Sequence, residues 1–440
     1  MESISAKEVD PGKPRYLVVF RKASKKNTST LSTVLKRGKA EGYEAREGIS
    51  MLASGDSGVD TKVFENLGVA AADLTDAQYH TLCDRPDVID VVENEVRFLP
   101  PQPEETPESG AEPEIIAYLK GMRDAANMAI AFHEGRDRST ALPGISENFL
   151  SGGDTTWGIE AIGLADAENP PTGRGVKVAV LDTGIDLTHP DMGGKVIEGI
   201  TAVSKVTGIS VQDVNGHGTH CAGVVCGPLQ SSSGKRYGVA PDAELLVGKV
   251  FNNDNKPKAT DDDILEGITW AELLGARIIS MSLGSKRLVN GNFPIQYEAV
   301  VQQLLNRSEN SVLLIAAAGN ASLRPMSTAP VENPASCPSI MAVAAIDKSR
   351  NIANFSCRKM DEIGIVDLSA PGVDVFSSFK GGGFRKMSGT SMATPFTAGL
   401  AALYLERDPS LTAAALFIEL KNKARHLGNV KDFGAGLIQL

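Results

Sequence analysis

Three short segments put a carboxylate, an imidazole and a hydroxyl where each could act. Asp182 follows the apolar run Val176 to Leu181, as Leu181-Asp182-Thr183-Gly184. His217 stands between glycines in Asn215-Gly216-His217-Gly218-Thr219-His220. Ser391 lies in Ser388-Gly389-Thr390-Ser391-Met392-Ala393, which opens an apolar stretch of helical character. A serine hydroxyl is a poor nucleophile until a base takes its proton, and a buried carboxylate fixes the base's tautomer. Aspartate, histidine and serine fill those three roles, and the chemistry they imply is acyl transfer. A fourth group must meet the developing oxyanion. Asn320, in Ala318-Gly319-Asn320 after the run Val312 to Ala317, offers its side-chain amide. The Ser391 backbone N–H, at a helix start, offers a second donor. Singly, each segment has a plainer reading: Asp182 as a turn cap, His217 as a turn histidine, Ser391 as a helix N-cap. Their joint occurrence is hard to reach by chance.

These groups need a frame. Between about residues 155 and 440, apolar runs alternate with helical stretches. The runs are Val176 to Leu181, Ala243 to Val250, Arg277 to Leu283, Val312 to Ala317 and Ile340 to Ile346. Near-continuous apolar runs are buried on both faces, as in a parallel sheet sandwiched by helices. In such sheets functional groups gather at the carboxyl ends of strands, where Asp182 and Asn320 fall.

The three segments also closely resemble the aspartate, histidine and serine signatures of the subtilisin family, in that family's chain order. His189-Pro190-Asp191, Gly238-Val239-Ala240-Pro241, Ser280-Met281-Ser282-Leu283-Gly284 and Ala370-Pro371-Gly372 extend the resemblance over residues 155–440. It implies an α/β, subtilisin-like catalytic domain that cuts peptide bonds in proteins through a serine acyl-enzyme. Asn320 would be the oxyanion donor, a role worth about 2.7–4 kcal/mol in a subtilisin itself. Ser282, Leu283 and Gly284 would pair with substrate as an added strand. Glu332, just before Asn333-Pro334, would lie at the bottom of the primary specificity pocket and favour Lys or Arg before the scissile bond, or would point to solvent. Asp261-Asp262-Asp263 would lie near the outer cleft and add to this, or would cap a helix starting at Ile264. No cofactor is required for the chemistry, while structural calcium is common in the family. Asp191 matches one calcium ligand, although the loop Gly227 to Tyr237 differs in length and lacks the expected asparagine. Cys221 resembles a free thiol of one family branch, or is a small core residue.

Residues 16–100 read as a small α+β unit preceded by a tail, residues 1–15. Tyr16 to Phe20 is a strand, Ser29 to Lys39 a helix, Val63 to Leu67 a strand, and Val88 to Val96 a closing strand. Thr75 and Gln78 form a capping-box signature at a second helix. The order is ferredoxin-like, and it resembles the inhibitor-type propeptide of subtilisins. That resemblance implies an intramolecular inhibitor whose tail, Phe98-Leu99-Pro100-Pro101, enters the cleft, so that the chain is an autoinhibited zymogen. Proline lacks the N–H for strand pairing and suits a scissile position poorly, so cleavage is expected later, within 102–155. Residues 101–154 begin as a Pro/Glu-rich linker, with a helix expected over 114–133.

Composition narrows the alternatives. The net charge of −10 argues against a nucleic-acid footprint. No run approaches the roughly 18 apolar residues of a membrane span. The N-terminus lacks the apolar core of a signal peptide. The protein is therefore expected to act in the cytosol, or to lack its export signal here. Five cysteines do not indicate a disulfide framework, though Cys337 and Cys357 could pair if the fold brings them together. Two rivals remain at this stage: peptide ligation by the same acyl-enzyme, and a non-catalytic binding module.

Overall fold

The computed structural model describes residues 14–38, 48–53, 60–100, 155–193, 202–204 and 211–440, all of which fall in one compact unit. The linker and the helix expected over 114–133 lie outside the described residues.

The larger part is built on a seven-stranded parallel sheet. Its strands are β7 (Lys177–Asp182), β8 (Ala202–Ser204), β9 (Glu244–Lys249), β11 (Ile278–Met281), β12 (Leu313–Ala317), β13 (Met341–Ile346) and β14 (Leu368–Pro371), in the order β14-β13-β12-β11-β7-β9-β8. Every expected run became a strand of this sheet. One face is covered by α3 (His217–Cys226) and α6 (Thr390–Arg407), and the other by α4 (Asp261–Leu273) and α5 (Ile295–Leu305). Helix α6 is buried from Thr390 to Leu405, so it carries apolar residues all round rather than on one stripe. The order of the central strands explains the site. With β7 beside β11 and β9, the carboxyl end of β7 sits mid-sheet, where Asp182 meets α3 and α6. No helix among the described residues is long and apolar enough to cross a membrane.

The smaller part is a five-stranded antiparallel sheet in the order β2-β3-β4-β1-β5: β1 (Tyr16–Phe20), β2 (Ile49–Leu52), β3 (Thr61–Phe64), β4 (Val69–Ala72) and β5 (Val88–Glu93). Helices α1 (Lys26–Leu35) and α2 (Asp76–Cys83) complete it. This is the ferredoxin-like pattern with β2 added at one edge. The expected strand Val63 to Leu67 is instead the hairpin β3–β4, whose turn uses Glu65 to Gly68. The expected helix begins three residues earlier, at Lys26. The capping box at Thr75 and Gln78 is present.

Alternation explains why β1 reads as an unbroken apolar run. Val18 and Phe20 face the unit's own helices, with Leu31, Leu35 and Leu82. Leu17 and Val19 face the other way and join the core of α4 and α5, with Ile268 and Val301. Both faces of the small sheet are therefore buried. The long strand expected from Val88 to Val96 breaks at Asn94. Its side chain donates to the Pro14 carbonyl and to Asp262, and a separate strand β6 (Val96–Phe98) begins beyond it.

Candidate active site

Asp182, His217 and Ser391 converge. The Asp182 carboxylate accepts from His217 Nδ1 at 2.8 and 3.0 Å and from the Thr183 N–H at 2.7 Å. All three side chains are buried. His217 Nε2 and Ser391 Oγ have no hydrogen-bond partner; they are the two atoms between which a proton would pass. Burial pushes the His217 imidazole down, but the Asp182 carboxylate outweighs it and holds the group well above its ordinary value. The buried charged form is stabilised because its partner is 2.8 Å away in a dry site.

Local sequence explains how His217 is held. It is the first residue of α3, following Gly216 at φ 104°. A side chain at Gly216 would strike the Phe379 ring at 2.4 Å. The loop before it is organised by Asp213, which sequence reasoning missed. Its carboxylate accepts from the N–H groups of Asn215, Gly216 and Thr219 and from the hydroxyls of Thr183 and Thr219, at 2.7–2.9 Å. Thr183 Oγ1 in turn accepts from the Gly218 N–H at 2.9 Å, tying the Asp182 strand to the His217 helix. The signal was present in Asp213-Val214-Asn215-Gly216: Asn-Gly marks a turn, and a nearby Asp side chain bonds turn backbone. Asp213→Ala is expected to cost about 3 kcal/mol, because charge-assisted bonds are lost and donors are left buried. Guanidinium unfolding would measure it.

Asn320 sits beside Ser391. Its Oδ1 accepts from the Thr390 N–H at 2.9 Å and the Thr390 hydroxyl at 2.8 Å. With the oxygen so held, the amide nitrogen faces Gly389. A Cβ at Gly389 would lie 3.2 Å from Asn320 Nδ2 and 3.6 Å from the Ser391 nitrogen, so glycine keeps both donors open to one point.

The residues expected to receive substrate divide. Gly284 forms an antiparallel bridge with Phe98, each N–H donating to the other's carbonyl at 3.2 Å. Leu283 belongs to the core. The Ser282 hydroxyl donates to the Ser391 carbonyl at 2.7 Å, so this side chain supports the serine. Glu332 is 3 % exposed. Its carboxyl carbon lies 2.6 Å from where a Cβ on Gly319 would be, and Oε2 lies 3.6 Å from that of Gly284. It therefore sits between the Asn320 segment and the edge that pairs with Phe98. Its Oε1 has no partner, and burial pushes the carboxyl up to about 7, against the pull of Lys286. The alternative that Glu332 points to solvent is excluded by this burial.

Tail strand β6 runs between two elements of the larger part. It pairs with β10 (Lys258–Thr260), Phe98 opposite Lys258 and Arg97 opposite Ala259, while Phe98 bonds Gly284 on its other side. Continuing that register puts Pro100 opposite Ser282. Proline has no N–H to donate there, so the pairing stops at Phe98. Leu99, Pro100, Glu332 and Asn333 line one cavity of about 1100 Å³.

The aspartate run does more than cap. Helix α4 starts at Asp261 rather than at Ile264, with Thr260 and Asp263 as its capping box. Asp262 accepts from Lys62 at 2.8 Å and Asn94 at 2.9 Å, and Asp261 accepts from Arg97.

Two further expectations are corrected. Cys337 and Cys357 are free: the Cys337 thiol meets the Pro294 carbonyl, while Cys357 packs where it feels Glu332. Asp191 does not fit a calcium site. Its carboxylate is taken by protein donors, the Ser231 hydroxyl, the Ser232 N–H and the Tyr237 hydroxyl at 2.6–2.8 Å, whereas calcium needs six to eight oxygens. Cys221 is a buried core residue against the triad, its sulfur 3.8 Å from His217 Nδ1 and 3.5 Å from the Ser391 carbonyl.

Comparison with known proteins agrees with this geometry. Residues 173–436 match the subtilase family. Subtilisin BL of Lederbergia lenta is 39% identical over 285 residues, covering 64% of this chain and 96% of the relative. The thermostable alkaline protease of Halalkalibacterium halodurans is 37% identical over 284 residues, covering 64% of this chain and 71% of the relative. Among solved structures, the S41 psychrophilic protease superposes with a TM-score of 0.55 at 31% identity, over 66% of this chain and 99% of that one. Catalysis in this family needs no cofactor. The chain belongs to the subtilase family and is a subtilisin-like serine endopeptidase.

Proposed function

We infer that the chain is the autoinhibited zymogen of this endopeptidase, with Asp182, His217 and Ser391 as its triad and Asn320 as the oxyanion donor. The observation that carries this reading is strand β6, held between β10 and Gly284 as a substrate would be. Residues 16–100 act as the inhibitor-type propeptide. In the reaction, His217 Nε2 takes the Ser391 proton as Oγ attacks the scissile carbonyl. Asp182 keeps the other ring nitrogen protonated and stabilises the imidazolium. The oxyanion is met by Asn320 Nδ2 and the Ser391 N–H. The amide nitrogen leaves with the proton from His217, and water then hydrolyses the acyl-enzyme.

The tail inhibits without being cut, because Pro100 withholds the N–H that would seat it against Ser282. Self-cleavage falls instead within residues 102–155. N-terminal sequencing of purified protein over time, beside Ser391→Ala, tests this. New N-terminal residues beyond Gln102, from 103 to 155, in the wild type and none in the variant are expected. Processing at Pro101 or Gln102 would refute the tail's role, and equal processing of the variant would refute the triad. Labelling by a fluorophosphonate, absent in Ser391→Ala, separates an enzyme from a binding module.

Glu332 gives a preference for Lys or Arg before the scissile bond. A carboxyl held near pH 7 by burial is neutral below that value and charged above it. The ratio of kcat/KM for a peptide with Lys at that position to one with norleucine is therefore expected to rise about tenfold or more between pH 6 and pH 8. The ratio cancels the titration of His217. A flat ratio near one would remove Glu332 from specificity.

A further inference from the structure

Strand β9 reads Glu244-Leu245-Leu246-Val247-Gly248-Lys249. An apolar run thus ends on a lysine, and that lysine is fully buried, where the residue type is almost never found without a partner. Alternation shows which way it points. Val180 and Val247 belong to the core beneath α3 and α6. Asp182 and Lys249 lie two residues further along β7 and β9, so they point to the same face. They are also register partners, side by side at the carboxyl ends of adjacent parallel strands. The fold therefore buries a cation next to the strand end that carries the Asp182 carboxylate, and the reaction described above does not use it.

Lys249 acts on geometry first. Its Nζ donates to the Thr183 carbonyl, and the next residue, Val250, donates its N–H to the Asp182 carbonyl at 3.0 Å. The end of β9 thus holds both carbonyls of the Asp182 turn. Thr183 passes the constraint on. Its N–H donates to the Asp182 carboxylate at 2.7 Å, and its hydroxyl donates to Asp213 and accepts from the Gly218 N–H, each at 2.9 Å. Gly184 follows at φ 113°, and a Cβ on Gly218 would lie 2.3 Å from the Gly184 carbonyl oxygen. The turn and the His217 helix are packed without slack.

It also acts through charge. Burial pushes the Asp213 carboxyl up, but its N–H and hydroxyl donors outweigh this and hold it below its ordinary range. The segments that hold His217 therefore carry two buried carboxylates, Asp182 and Asp213. Lys249 is the cation that faces them: burial pushes its ammonium down, and Asp213, then Asp182, draw it back up. The other titratable groups near the imidazole are on α3. Burial pushes the Cys221 thiol up and the His220 ring down to about 3, where the field of Arg385 also acts. Helix α6 brings Ser391 to the imidazole and no charged side chain among its buried residues.

We propose that Lys249 is a positioning residue for the catalytic base: its ammonium seats the Thr183 carbonyl, which fixes the Asp182 turn, and it balances the second buried carboxylate, Asp213, of the loop that carries His217. This rests on the triad reading above and deepens it. With the balance in place, one carboxylate's worth of field acts on the imidazole, enough to orient it and to stabilise its charged form in the reaction. Without it, two carboxylates favour the imidazolium in the resting enzyme, and the base is lost over a wider range of pH.

The test follows fluorophosphonate labelling of Ser391 against pH in full chains carrying Arg97→Ala, which removes the tail's hold on Asp261. Adding Lys249→Met or Lys249→Gln is expected to move the acid limb upward by about 0.5–1 pH unit. Lys249→Arg keeps the charge and should leave the limb in place. Glutamine retains a donor for Thr183 and methionine does not, so Lys249→Met should also label about tenfold more slowly on the plateau. A purely structural role would slow labelling without moving the limb, so an unmoved limb in both neutral variants overturns the proposal. A limb that moves in Lys249→Met alone overturns the charge balance. A further measurement needs no neutral variant to fold: nitrogen NMR of the lysine side chains in the Arg97→Ala chain, with Lys249→Arg as the assignment control. Lys249 is expected to be an ammonium throughout the acid limb, and a neutral amine there overturns the proposal. No labelling of any chain would sink the triad reading, and the role of Lys249 with it.

Discussion

Asp182→Asn is expected to lower kcat for peptide hydrolysis about 10⁴-fold and to move the acid limb of the pH profile downward. In the wild type Asp182 accepts from His217 Nδ1, which leaves Nε2 free to take the serine proton. An asparagine can donate to Nδ1 instead, which puts the ring proton on Nε2 and removes the base. The charge effect is separable. The carboxylate holds the imidazole well above its ordinary value against the opposing effect of burial. Only neutral His217 can act as base, so wild-type activity should fall as pH drops through a value above 6.5. Without the carboxylate, burial alone remains, and the residual activity should persist to lower pH. Measured in the unlocked Arg97→Ala chain, a rate loss with no shift of the limb would mean that Asp182 acts on geometry alone.

The second large effect concerns the lock. Arg97→Ala in the full chain is expected to speed fluorophosphonate labelling of Ser391 about 10²-fold. Removing one partner of a buried ion pair typically costs about 3–5 kcal/mol, because the other charge is left uncompensated. Here Asp261 retains Gln296 and Tyr297, so we take the lower end, and about 1.4 kcal/mol corresponds to tenfold. Lys62→Ala should do less. Its bonds to Asp262 and Glu266 span 2.8–3.3 Å, but the side chain is 19% exposed, and solvent screens what is lost. Equal labelling rates for wild type and Arg97→Ala would mean that the tail does not close the site.

The Arg97 and Lys62 contacts come from one arrangement. The small sheet packs its second face on α4 and α5, and α4 begins with the aspartates that receive Lys62, Asn94 and Arg97. The small sheet and strand β6 therefore both dock on the first turn of one helix.

The sequence alone determined the family and the larger sheet, and it singled out the groups proposed to react. Asp182, His217, Asn320 and Ser391 were legible because each sits in a short segment whose small residues answer local demands: Gly216 for a positive φ, Gly389 for the approach of two donors. The parallel strands were legible because burial on both faces leaves an unbroken apolar run. What only the tertiary structure decided lies in contacts between distant residues. Arg97 and Asp261 are 164 positions apart, and nothing local distinguishes that aspartate from its two neighbours, which cap the helix and bind Lys62 and Asn94. Glu332 had two readings until the fold enclosed it between Gly319 and Gly284. Asp191 resembled a calcium ligand until the 231–237 loop supplied hydrogen-bond donors to it. A short motif reports the backbone geometry of its own few residues. The solvation and partners of a charge depend on which segments are packed around it, and those are set by the whole chain.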